Sequence, residues 1–493
     1  MSVQFPGAVL DAMRAAQPLT RRGFLAASGA VVVSMSMAPR SAEAPASGAA
    51  AATGRYPDPD FLQLDTWIVI HPDNTATFFV GKTDGGQGTG TAFRQMMCDE
   101  LDIAYERTRL VMGSTDITPD QGGSGGSDAI ERDGWPMRRV AAEARRVLLD
   151  LGAQHLGVEA ALLTVADATI ALRDNAARKV TYAELVGGRR FNVALTGRNV
   201  DATTGQAALK PVNALRVVGQ PLPRYDIPAK VDGTQVWAVD MKLPGMVHAR
   251  NVRPPPGATL VRIDESSVRG LPGFIRVVSR GNYIAVVCGR EEQAIEAARQ
   301  LKVQWNLPAT APFPASGALF DYLRNATPTY AAQPQVQGDP DAAFSTAARV
   351  IEAAYEVPFQ GHAAIGPAHA LADPSNGQMT VYSNDMKSYG LRTGVARFLG
   401  MPRENVRVVY MDGPQVYGRT AADDVGFEAA FLARELGRPV RVQWSREEET
   451  AWDTKGPAYV FRLRGALDAQ GSLTALEYDA CAADHNHLGY NEP

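Results

Sequence analysis

Short apolar runs broken by turn residues organise the front of the chain. Leu64–Ile70 and Thr75–Val80 read as two strands around a His71-Pro72-Asp73-Asn74 turn. A glycine-rich loop follows, Asp84-Gly85-Gly86-Gln87-Gly88-Thr89-Gly90-Thr91, and Ala92–Leu101 then predicts a helix. Arg109–Met112 reads as a short strand. A second glycine-rich loop, Pro119 to Ser127, leads into a helix near Pro136–Leu151. Thr181 and Glu184 have the spacing of a capping box. Residues 190–226 carry no period and read as irregular.

Residues 227–306 read as a compact unit. Its strand candidates are Val236–Met241, Val247–Val252, Phe274–Val278 and Tyr283–Cys288. Its helix is Glu291–Val303, with Ala294, Ile295, Ala298 and Leu301 on one stripe. Residues 307–345, rich in Ala and Pro, read as a linker with a short helix. From Arg349 the pattern predicts a strand, then a strand at Gln378–Ser383, a helix at Tyr389–Leu399 and a strand at Val406–Met411. A helix at Ala421–Leu436 and a strand at Pro439–Trp444 follow, then a hairpin of Tyr459–Leu467 and Ser472–Cys481. A mixed sheet ending on that hairpin exposes an edge and an apolar face, so the last domain is expected to be incomplete or completed by another chain.

Composition narrows the class. The 493 residues allow about three folded units at roughly 150 residues each. A hydrophobic fraction of 45% and a charged fraction of 21% exclude disorder of the whole chain. A net charge of −4 gives no electrostatic footprint for nucleic acid. Cys98, Cys288 and Cys481 lie too far apart for a zinc or iron–sulfur motif and are too few for a disulfide framework. Each sits in apolar sequence and reads as an inert core residue.

Residues 1–44 read as an export leader. Thr20-Arg21-Arg22-Gly23-Phe24-Leu25 is a twin-arginine sequence. The apolar run Phe24 to Ala38 follows it, and Ala42-Glu43-Ala44 is a small-residue cleavage site. At about 15 residues the run is shorter than the roughly 20 that a membrane span needs. A buried N-terminal helix is the alternative. The twin-arginine route carries folded proteins, so a periplasmic location and a cofactor loaded before export are expected. Residues 45–56, rich in Ala, Ser and Gly, read as a flexible linker.

The two glycine-rich loops carry the main chemical signal. Each follows a strand and precedes a helix, where bare N–H groups and a helix N-terminus can seat an anion such as a phosphate. Gln87 adds an amide that both donates and accepts. Neither loop has the dinucleotide spacing or a phosphate-loop lysine, and ordinary glycine turns are the competing reading. His485 and His487 share a face if extended and could hold a metal, although a solvated pair fits the same pattern. His362 and His369 straddle a strand start and read as packing or turn residues. Asp423-Asp424 reads as the acidic first turn of a helix and Glu447-Glu448-Glu449 as a solvated run. No serine–histidine–aspartate arrangement announces itself.

The order of segments resembles the molybdopterin-binding large subunit of the xanthine dehydrogenase and aldehyde oxidase family, in its isoquinoline 1-oxidoreductase beta-subunit type. The resemblance rests on Gly86–Gln95 with Asp99-Glu100-Leu101, on Thr115–Ser127, on Asp226–Gly233, on Leu243–Arg250 and on Leu436–Glu449. It implies an α+β fold: an α/β hammerhead domain over 227–306, plus incomplete molybdopterin-binding domains with mixed sheets. Residues 349–493 would begin the first molybdopterin-binding domain. Residues 57–215 would be a molybdopterin-binding segment moved forward from its usual late position.

The implied cofactor is molybdopterin cytosine dinucleotide, whose own sulfurs hold molybdenum, so no protein metal ligand is required. Gly86, Gln87 and Gly88 would meet it from the first loop and Ser124, Gly125, Gly126 and Ser127 from the second. Gly413, Tyr417 and Gly418 would replace the family's Gly-Gly-Phe-Gly loop. The implied reaction is hydroxylation of an N-heterocycle or an aldehyde with oxygen drawn from water. Electrons would pass to [2Fe-2S] clusters on a small subunit, with a cytochrome c as a further acceptor. The sequence departs from the family at Gly366, where relatives carry Glu, and at Met386, where they carry Gln. The family's general-base glutamate belongs to a Gly-x-Gly-Glu segment expected beyond Pro493, which leaves the catalytic residue unassigned and this chain alone inactive. The alternative is an inactive truncated relative acting as a binding or scaffold protein.

Overall fold

The computed structural model describes residues 55–414, 417 and 422–483, with the side chains of 422 and 423 set aside. The leader, most of the 45–56 linker, Gly418, and the His485 and His487 pair lie outside the described residues. The linker's last residues are held rather than loose: Tyr56 is buried, and its N–H donates to the Glu404 carbonyl at 2.8 Å.

The front unit packs two small sheets on two helices. Strands β1 (Ile68–Ile70) and β2 (Ala76–Val80) pair antiparallel, and a 3-10 turn at Leu64–Thr66 takes the place of the first strand's predicted start. Helix α1 (Thr89–Leu101) carries the chain to β3 (Thr108–Met112), which pairs parallel to β2. Phe93, Met97 and Leu101, four apart, form the buried stripe of α1. Helix α2 (Gly134–Leu156) buries Met137, Val140, Ala141, Ala144 and Leu148 and ends at Gly157, whose φ of 66° suits a left-handed cap. Strands β4 (Leu163–Ala166), β5 (Thr169–Leu172) and β6 (Lys179–Thr181) form the second sheet, and the capping box of Thr181 and Glu184 starts the short α3 (Tyr182–Val186).

The irregular stretch after α3 is pinned by carboxylates. Asp99 accepts from the N–H groups of Arg216, Val217 and Val218, and Glu143 from those of Gln206 and Ala207. These bonds supply what a sheet ladder would otherwise give.

Segment 227–306 does not close on itself. It opens with the short α4 (Ile227–Val231), and the predicted strand at Val236–Met241 is instead a 3-10 turn at Ala238–Asp240. Strands β7 (Val247–Asn251), β9 (Phe274–Arg280) and β10 (Tyr283–Cys288) lie in one seven-stranded mixed sheet with later strands. Only β8 (Thr259–Asp264) and β11 (Lys302–Asn306), both missed from the pattern, pair apart from it. Helix α5 (Glu291–Gln300) covers Ile284, Val286 and Cys288 with Ala294 and Ala297.

Two short helices, α6 (Leu319–Asn325) and α7 (Pro340–Ser345), precede β12 (Arg349–Val357). The large sheet is completed by β13 (His369–Asp373), β14 (Met379–Ser383), β15 (Val406–Tyr410) and β16 (Val440–Gln443), in the order β15-β14-β13-β16-β7-β10-β9. Strand β13 was not legible because its alanines have weak strand preference. Helices α8 (Ser388–Leu399) and α9 (Ala422–Leu436) pack on this sheet through Leu391, Val395, Val425 and Leu432 against Val381, Val408 and Val442. Helix α10 (Arg446–Trp452) holds the acidic run read as solvated. Only Glu447 is exposed there: Glu448 closes a capping box with Ser445, and buried Glu449 accepts from the Ala368 N–H at 2.8 Å.

Strands β17 (Tyr459–Leu467) and β18 (Leu473–Ala482) join β12 in an antiparallel, not mixed, sheet. Leu323 and Val460 fill one face; on the other Tyr355 stacks on Phe461 and Tyr478 meets Phe461 at a tilt, with Tyr355 and Tyr478 exposed. Cys98 and Cys288 are buried, and burial pushes the Cys98 thiol up to about 12, so both suit the inert role; Cys481 on β18 is only half-buried. No helix among the described residues is long and apolar enough to cross a membrane.

Candidate functional site

The parallel pair β2–β3 and its crossover helix place the first glycine-rich loop at the carboxyl end of β2, the usual position for a ligand in such a unit. The second loop follows β3 and lies directly against the first. Gly81 N–H donates to the Gln121 side chain at 2.8 Å, and the Lys82 ammonium donates to the Gly123 carbonyl at 2.8 Å. A Cβ at Gly81 would stand 1.9 Å from the Pro119 carbonyl oxygen, so only glycine permits this approach.

Ser124 is the latch. Its hydroxyl accepts from the Thr83 N–H at 2.8 Å and lies 3.0 Å from the Thr83 carbonyl. The carbonyl of Met386, between β14 and α8, takes the Ser124 N–H at 2.8 Å and the Thr83 hydroxyl at 3.1 Å. Loops distant in sequence thus meet at the carboxyl ends of β2 and β14.

The two loops do not offer the same groups. In the first, the Asp84 carboxylate accepts from the N–H groups of Gly86, Gly88 and Gly90, each at 3.0 Å. The anion seat at the start of α1 is filled by the chain's own carboxylate. This corrects the expectation that the bare amides of Gly86 and Gly88 are open to a phosphate. Gln87 remains, with an exposed side chain. In the second loop Ser124 is buried and spent on the latch, whereas Gly125, Gly126 and Ser127 are exposed, the last two with φ near +60°. The stem of Lys387 lies along this loop, 2.3 Å from where a Gly123 Cβ would be.

A third segment leaves β15 beside the first loop. The Tyr410 hydroxyl donates to the Asp84 carbonyl at 2.5 Å. A Cβ at Gly413 would fall 2.1 Å from the Asn384 amide nitrogen, so this glycine lets the segment approach the β14 end closely. Tyr417 is exposed, with φ 50°. Gly366 faces the same segment: a Cβ there would meet Pro414 Cγ at 2.1 Å. The space that a glutamate at 366 would need is occupied by Pro414.

Charges frame the loops. The buried Lys82–Asp133 pair closes at 2.9 Å behind the second loop. Burial raises the Asp133 carboxyl to about 6 against the opposing pull of Lys82. Arg224 grips Asp226 with two bonds, and Lys230 bridges Asp226 and Asp412 at 2.7 and 2.9 Å. Burial works to raise the Asp226 carboxyl, but the hydrogen bonds from Arg224 and Lys230 outweigh it and bring the pKa down to about 2. Burial raises the Asp412 carboxyl despite Lys230. Asp84, Asp226, Lys230 and Asp412 escaped the functional reading of the sequence. For Asp84 the signal was present, since an aspartate two before a glycine commonly caps its own turn. His369 lies away from this seam, buried at the start of β13, as a packing role requires. Among the described residues no group of three His, Cys, Asp or Glu could hold a metal.

Two matches to the molybdopterin cofactor-binding domain cover residues 28–215 and 323–487. Over 436 residues the chain is 35% identical to the B subunit of nicotinate dehydrogenase from Pseudomonas putida, covering 87% of this chain and 36% of that protein. It is 26% identical to the beta subunit of isoquinoline 1-oxidoreductase from Brevundimonas diminuta, over 94% of this chain and 64% of that one. Quinoline 2-oxidoreductase from Pseudomonas putida 86 superposes with a TM-score of 0.46 at 20% identity, covering 53% of this chain and 39% of the other. The chain belongs to the molybdopterin-binding large subunits of the xanthine dehydrogenase family. It spans between about a third and two thirds of the length of the two relatives compared in sequence.

Proposed function

We propose that this chain is part of the large subunit of an exported molybdenum hydroxylase, an oxidoreductase acting on aldehydes or N-heterocycles. The observation that carries the reading is the seam at Ser124, Thr83 and Met386, which gathers three loops at strand ends. Molybdopterin cytosine dinucleotide fits part of this surface. The exposed tip Gly125–Ser127 offers N–H groups for a phosphate, Gln87 offers an amide, and Gly413 opens a close approach. The Gly86 and Gly88 amides do not fit that role, because Asp84 holds them.

When bound, the group supplies two-electron oxidation at molybdenum. The part left to this chain's residues is to bind and orient it. Electrons would leave to a [2Fe-2S] small subunit and then to an acceptor such as a cytochrome c, in the periplasm after twin-arginine export. A second reading, an inactive binding or scaffold relative, is favoured by Met386, which cannot donate the hydrogen bond of a glutamine, and by Pro414 filling the space at Gly366.

The deciding measurement is elemental analysis of the full chain, co-expressed with its small subunit in molybdenum-replete cells. About one molybdenum per chain, with CMP released by acid, is the expected result. Metal-free protein of native fold would overturn the hydroxylase reading and leave the scaffold one.

A further inference from the structure

The segment Asp226-Ile227-Pro228-Ala229-Lys230 has no part in the function proposed above, yet it stands between two of its loops. Asp226 stands just before α4, where its side chain makes no capping bond, and Lys230 lies four residues on, so both side chains leave on one side. From Asp226 one arm reaches the first glycine-rich loop. Arg224 Nε and Nη2 donate to the carboxylate at 3.0 and 2.6 Å, and Arg224 Nη1 donates to the Gly86 carbonyl at 2.6 Å. The same guanidinium braces Gly88, 3.4 Å from where its Cβ would be. The other arm reaches the segment after β15: Lys230 Nζ sits 2.7 Å from Asp226 and 2.9 Å from Asp412. Tyr410, two residues before Asp412, donates back to the Asp84 carbonyl and closes a ring.

We infer that Asp226, with Arg224 and Lys230, is a positioning centre that fixes the Gln87 loop relative to Gly413. The relay ends one residue short of each: Gly86 precedes Gln87, and Asp412 precedes Gly413. The four charged side chains are each between 11% and 29% exposed, so solvent screens these bonds less than it would on an open surface. The inference rests on the proposed function for its meaning, because only a ligand spanning Gln87 and Gly413 requires the two loops in fixed register.

The test is hydrogen–deuterium exchange on the purified full chain, read in peptides over Gly85–Thr91, Met411–Pro414 and Gly122–Ser127, together with molybdenum content. Asp226→Asn should speed exchange about tenfold in the first two peptides, the effect of losing one charge-assisted contact at each end, and leave the third unchanged. Lys230→Met should loosen Met411–Pro414, and Lys230→Arg should restore it. A merely structural role would speed all three peptides together. That result, or a change confined to one of the two loops in Asp226→Asn, overturns the relay. If the paired loosening occurs in a protein that never holds molybdenum, the relay stands and the hydroxylase reading falls. If wild type holds molybdenum and Asp226→Asn moves neither loop, the relay falls and the hydroxylase reading stands.

Discussion

In the first glycine-rich loop three N–H groups converge on one carboxylate, Asp84, and little but the Gln87 side chain is left to meet a ligand. In the second, Ser124 and Gln121 lock the base while Gly125, Gly126 and Ser127 stay exposed. Both loops are dense in glycine, both follow a strand, and both precede a helix. The difference lies in how many N–H groups each loop's own carboxylate takes: Asp84 holds those of Gly86, Gly88 and Gly90, whereas Asp120 holds only that of Gly122. Glycine content reports which backbone shapes are allowed, whereas the neighbouring acceptor decides whether the N–H groups are still available.

That contrast can be broken by substitution. Asp84→Ala should have the largest effect, a loss of about 3–4 kcal/mol, because three donors, that of Gly90 buried and those of Gly86 and Gly88 partly so, lose their acceptor at once. Urea denaturation would measure it, and a loss under 1 kcal/mol would show that the carboxylate is not what holds the first loop. Ser124→Ala removes one hydroxyl that both accepts from and donates to Thr83, and should cost about 1–3 kcal/mol. If it costs as much as Asp84→Ala, the two loops are equally closed and the contrast is wrong.

Gly126→Ala sharpens the comparison from the open side. There is room for the methyl group, but φ is 61°, so backbone strain alone should cost about 1 kcal/mol. Its thermal melting temperature should fall by only a few degrees, with unchanged exchange in the first loop. A pH slope tests the base of the second loop. The Asp133 carboxyl sits at about 6 in the folded chain, above its ordinary unfolded value near 4. The folded state therefore binds the extra proton, and this group's contribution to stability rises as pH falls from above 6 to below about 4. Asp133→Asn should flatten that slope in a pH series of melts, and an unchanged slope would assign it elsewhere.

Much of the fold was legible where apolar residues cluster and turn residues punctuate them: β2, α1, α2, β10 and the β17–β18 hairpin fall close to the pattern. The losses have separate causes. Strand β13 is built from small residues whose preference is weak and whose burial supplies the stability. The joining of β7, β9 and β10 to β13–β16 is a long-range pairing that no local pattern records. At the site, the loops and Gln87 could be picked out because glycine spacing is local. The Arg224–Asp226–Lys230–Asp412 relay could not, since its members become neighbours only after the large sheet forms.

The shared seven-stranded sheet also sets a schedule. Val247 of β7 pairs with Val440 of β16, and among the described residues no earlier strand takes that edge. A ribosome adding roughly 5–20 residues per second delivers β16 some 10–40 s after β7. A chain that pairs β7 with β10 as it emerges would carry an unsatisfied edge at Val247–Asn251 during that interval. A chaperone that shields this stretch would have its client for a defined time, and release would coincide with the arrival of α9 and β16.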